Sequence, residues 1–259
     1  MSYYRPWGLV CAGLIAALCL QPCHADQLQL TLYLNIDARQ FLNNSSQSIV
    51  IVIPNPASEA GNTVVALTLP PPIANSMTLV IETDTSLYVA NGAIASVDII
   101  KIGVAGAVTF GNNYSFNGVQ INGDGPGKEG TVGLYYDAPP NSQALITGLA
   151  LFIYDSAQGK PATPSPINGY TLNRFQSRYI SQPTTVLWAL VGSGITASSV
   201  LPTSTFKPVS NTSSFANASS RASSSFQLSR YLQVPFNAQK RASIHFDTAI
   251  NAFAPGPYP

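Results

Sequence analysis

Short runs that alternate apolar and polar residues, or that are rich in β-branched residues, fill the chain beyond residue 25, and turn dipeptides separate them. Successive side chains of a strand point to opposite faces, so a period of two signals a strand with one buried face. On that pattern residues 48–54, 62–70, 77–83, 96–103, 105–111, 115–121, 131–137, 143–155, 184–192, 231–236 and 242–250 are predicted strands. Asn-Gly pairs at 91–92, 117–118, 122–123 and 168–169, with Gly-Asp-Gly-Pro-Gly at 123–127, offer the positive φ angles that tight turns need. No stretch carries a long 3.6-residue period, and no fixed-period repeat points to a propeller or solenoid. The expected fold is all-β: an antiparallel β-sandwich, jelly-roll-like or built as two packed sandwiches.

Residues 1–25 read as a secretory signal. Arg5 gives a basic start, "GLVCAGLIAALCL" an apolar core, and "CHA" before Asp26 a small-x-small cleavage site after Ala25. The apolar core is too short to span a bilayer, which takes roughly 18–20 residues. The three cysteines, Cys11, Cys19 and Cys23, all lie inside that segment. The expected mature chain, secreted to the periplasm or exterior, is therefore cysteine-free and relies on burial and backbone pairing.

Charge is sparse and divided along the chain. Residues 26–155, the first sandwich domain or first half, hold three basic residues against ten acidic ones. Residues 156–170 contain three prolines and read as a loop or boundary. From 156 to 259 eight basic residues face the single acid Asp247. The second β-rich half, 171–259, includes a Ser/Thr-rich segment at 196–229. Low charge favours association, and the basic half suits an anionic surface or a glycan. Nothing indicates nucleic-acid binding.

The stretch "LQLTLYLNI" puts Leu28, Leu30, Leu32, Leu34 and Ile36 on every second position. A strand with five such residues must dock, either in its own sandwich or, by strand addition, in the sheet of another copy. Residues 37–47 would then act as a polar tether. The pattern resembles the N-terminal donor strands of secreted pilins and fibre subunits, which implies copies of the chain as partners.

Catalytic signatures are missing from the sequence. His245 is the sole histidine beyond the signal, and "VGSGI" around Ser193 has Val191 where a nucleophile elbow needs glycine. His245 with Asp247, and Glu82 with Asp84, are same-face pairs two residues apart, more in keeping with surface polar groups than with a metal or glycosidase site. No catalytic, cofactor or metal residue is assigned, and no cofactor is expected. Adjacent Tyr135 and Tyr136 should face opposite ways, the outward ring being free to stack on a sugar or pack at an interface. The leading expectation is a secreted, non-enzymatic β-sandwich acting by self-assembly or adhesion, as a fibre or matrix subunit. A β-pore-forming toxin using 196–229 is the alternative, and a carbohydrate-binding module is the third.

Overall fold

The computed structural model describes residues 26–209 and 226–258. The first strands are Gln27–Tyr33 (β1), Ser48–Val52 (β2), Asn62–Leu69 (β3), Ser76–Glu82 (β4), Ser86–Asn91 (β5), Ile102–Ala107 (β6) and Asn112–Phe116 (β7). Ile121–Pro126 (β8), Thr131–Tyr136 (β9), Leu145–Leu151 (β10), Ile153–Asp155 (β11), Ser165–Pro166 (β12), Tyr170–Leu172 (β13) and Ser177–Ser181 (β14) follow. The last are Val186–Ser193 (β15), Val200–Pro202 (β16), Gln227–Leu228 (β17), Leu232–Pro235 (β18), Arg241–Asp247 (β19) and Ala252–Pro255 (β20).

These strands form an all-β, sandwich-like fold of several packed sheets. One sheet has the order β11-β4-β1-β19-β20 and a second β16-β3-β2-β15, with β17 and β18 both on β15. A third runs β12-β10-β5-β6 with β13 also on β10, and a fourth β14-β9-β7-β8. Between these named strands pairing is antiparallel except for β1 with β19 and β7 with β9. Every sheet sends side chains into one shared core, among them Leu30, Ile51, Leu149 and Leu134. Strand β2 explains its own unbroken apolar sequence. Ile49 and Ile51 enter the shared core, while Val50 and Val52 lie under a second cluster with Leu190, Leu201 and Phe206. A strand buried on both faces has no polar face to alternate with.

The two halves of the chain interleave. β1 and β4 share a sheet with β19 and β20, β2 and β3 with β15, and β9 with β14. The acidic and basic halves are therefore not opposed poles. Two ion pairs join one half to the other: Lys160 to Glu82 at 2.5 Å and Lys240 to Asp26 at 2.6 Å.

Four local expectations change. Residues 37–47 are no tether: Ile36–Asn44 is an α-helix (α1), whose N-cap Asn35 accepts the Ala38 N–H through its side chain at 2.8 Å. Ala38 and Leu42, one turn apart, face the core, and Phe41 packs on Phe246. The run 96–103 is mostly loop, because Ile94 and Ile100 pack inward with Tyr88 and Ile146 instead of pairing in a ladder. Residues 115–121 cross a hairpin turn, where Asn117 Oδ1 accepts the N–H groups of Val119 and Gln120 at 3.0 Å each. The Gly-Asp-Gly-Pro segment read as loop belongs to β8.

Candidate functional site

Strand β1 sits inside its sheet, paired to β4 on one edge and to β19 on the other. Leu28, Leu30, Leu32 and Leu34 are buried. Ile36 leaves that face, opens α1 and is 59% exposed. In this structure the strand docks within its own chain.

The exposed aromatic chemistry gathers elsewhere, on the outer face of β14-β9-β7-β8. Strand register sets the arrangement. Tyr135 of β9 lies opposite Ser177 of β14 and Ser115 of β7, and Gly133 lies opposite Tyr179 and Asn113. Gly133 is the low point between them. A Cβ there would come within 2.9 Å of Tyr179 Cε1 and would collide with Asn113 Oδ1, so glycine is what lets the ring and the amide lean inward. Covering a sheet glycine with a cross-strand ring is a known sheet-stabilising device. Yet Tyr179 remains 53% exposed and Tyr135 37%.

Asn113, Tyr114, Asp124, Gly133, Leu134, Tyr135, Ser177 and Tyr179 line a depression of about 280 Å³. Its polar groups are fixed from behind. Asn113 Nδ2 donates to the Pro126 carbonyl at 3.1 Å, and Ser115 Oγ donates to Asp124 Oδ1 at 2.9 Å. Two open rings beside oriented amide, hydroxyl and carboxylate groups match a ligand with an apolar face and a polar edge. Tyr136 is not part of this site. It is buried, stacks on Phe116 with centroids 6.0 Å apart, and donates to the Gln143 carbonyl. The Tyr135–Tyr136 pair thus splits outward and inward. Tyr179 was not singled out by sequence, and only register brings it and Asn113 beside Tyr135.

The pairs considered for other chemistry have separate tasks. His245 Nδ1 lies 3.0 Å from the Gly256 carbonyl, whereas Asp247 accepts the Ala249 N–H at 2.8 Å. Glu82 is buried against Lys160 and accepts from Tyr154 OH at 3.2 Å, while Asp84 is exposed beyond the end of β4. Of the segment 196–229, residues 210–225 lie outside the described residues, as does the signal segment 1–25. The part before them carries β16 and packs Leu201 and Phe206 over the second cluster. Comparison with protein-family models, curated proteins and solved structures gives no match, so the functional reading rests on this geometry alone.

Proposed function

We propose that this chain is a secreted adhesive protein that works by binding, and that the tyrosine face of β14-β9-β7-β8 takes carbohydrate. The observation that carries this reading is the exposed pair Tyr135 and Tyr179, set beside Asn113, Asp124 and Ser177 around one depression. Sugar rings present C–H faces that stack on aromatic rings and hydroxyl edges that bond amides, hydroxyls and carboxylates. Stacking that buries about 55 Å² of apolar surface per ring is worth about 1.4 kcal/mol, or about tenfold in affinity. On a glycan array, Tyr135→Ala and Tyr179→Ala are each expected to lose about tenfold, with unchanged circular dichroism. Silence across the array, or binding undiminished in the double variant, would sink the reading.

Self-assembly through β1 has one favourable observation. The strand lies between two others and joins α1 through Asn35, so exchange between copies would conserve every pairing. Light scattering over a wide concentration range checks this, and a monomer throughout leaves β1 a core strand only.

A further inference from the structure

Just before β14 the chain makes a tight turn at 173–176 that holds a phenyl ring in water. Phe175 is 55% exposed and has a φ of 63°, in the left-handed region that bulky side chains rarely adopt. The turn is pinned on all sides. Phe175 N–H donates to the Tyr136 carbonyl at 2.8 Å, Tyr136 N–H donates to the Gln176 carbonyl at 3.0 Å, and Asn173 N–H donates to Gln176 Oε1 at 3.0 Å. Arg174 Nε donates to the Ala138 carbonyl at 2.5 Å, and its guanidinium lies 3.9 Å from the Phe175 ring centroid. A strained residue kept at a surface points toward function rather than packing, and a glycine would fit this backbone with less strain.

Phe175 stands at the head of the same edge strand that carries Tyr179. The chain leaves the turn and enters β14 at Ser177, opposite Tyr135, so Phe175 and Tyr179 lie two residues to either side of that position. Three open rings are more than one sugar unit can cover. Asp124 is the one charged residue lining the depression, and the cation at the Phe175 end, Arg174, is engaged by the Ala138 carbonyl and the Phe175 ring, so an anionic ligand in the depression would meet the Asp124 carboxylate.

Resting on the carbohydrate reading, we infer that the ligand is a neutral, linear polysaccharide lying along β14, and that Phe175 is a further binding residue for the sugar units beyond the depression. A chain of this kind gains contacts with length until it spans Tyr179 to Phe175. A single unit uses only the tyrosine pair.

The test titrates the intact secreted protein with neutral glucan, mannan and galactan oligomers from one to six units, and with polyuronate and heparin as anionic probes. Affinity for the neutral ligand should rise at least fivefold from one unit to four, with little salt dependence. Phe175→Ala should erase that rise and leave single-unit binding unchanged, while Phe175→Tyr should keep it. Phe175→Gly should raise the thermal midpoint while also losing the length gain, a combination that a merely structural residue would not give. A preference for the anionic chains, or a length gain that survives Phe175→Ala, overturns this inference while leaving the tyrosine site standing. Binding to none of the probes overturns both.

Discussion

Asn168 shows how much a single side chain can hold. It is fully buried, accepts the Leu149 N–H at 2.8 Å and donates to the Pro56 carbonyl at 3.3 Å, while its own carbonyl accepts Tyr88 OH at 2.6 Å. Replacing it with alanine strands a buried amide, at about 1–3 kcal/mol per unsatisfied group. Asn168→Ala is therefore expected to lower the urea-unfolding free energy by about 2–4 kcal/mol. Burial also pushes the Tyr88 hydroxyl far above the ordinary tyrosine value, and raises Tyr170 as well. An unfolded tyrosine ionises near pH 10, so above that pH the unfolded chain binds fewer protons than the folded one. Stability is then full below about pH 10 and falls as pH climbs toward the folded value. Urea midpoints measured from pH 8 to 11.5 should drop only above pH 10, in step with tyrosinate absorbance, and a flat profile would contradict this. Residue identity alone did not disclose these roles. Asn91-Gly92 and Asn117-Gly118 are turns with glycine φ of 106° and 95°, as read from sequence. Asn168-Gly169, the same dipeptide, is a buried hub, because the sheet closes over it. Locally identical chemistry separates only through tertiary contact.

Among the elements, those with a strong period were legible and those defined by partners were not. β2, β3, β4, β9, β15 and β19 lie where alternation and β-branching placed them. β12, β16 and β17, of two or three residues, carry too little pattern to read. α1 escaped because only Ala38, Phe41 and Leu42 mark its inner face. β1 supplies a direct check on its interior position. Leu30 and Leu32 are completely buried, and truncating a core leucine costs about 2–5 kcal/mol. Leu32→Ala should lose that much stability by denaturant titration, with no change in the hydrodynamic radius of the native state. A loss below about 1 kcal/mol would mean the strand is not core. Of the candidate site, Tyr135 was legible from its place in β9, but its neighbours come from β7 and β14. A single sequence without pairing information cannot bring those three strands together.

At the level of the whole molecule, the interleaving of halves predicts that the chain folds as one unit. Sheets that take strands from both sides of residues 156–170 cannot close without either side. Expressed separately, residues 26–155 and 171–259 are each expected to give the narrow amide dispersion of unfolded chains in NMR, and a well-dispersed spectrum from either fragment would identify an autonomous domain. The same interleaving turns the charge asymmetry of the sequence into cross-links, since Glu82–Lys160 and Asp26–Lys240 both bridge early to late chain. The buried carboxylate of Glu82, held by Lys160 and Tyr154, fixes the loop after β11 onto β4.

The parallel neighbours β1 and β19 have a mechanical consequence. Tension applied between Asp26, ahead of β1, and the 248–251 turn, after β19, acts in opposite directions along two side-by-side strands running the same way. The load falls on the ladder as shear, so its hydrogen bonds resist together rather than opening one at a time as in a peeled hairpin. The antiparallel grip of β4 on the far edge of β1 adds a second ladder to the same resistance. A fold with no cysteine among its described residues thus carries a clamp in the order of its strands.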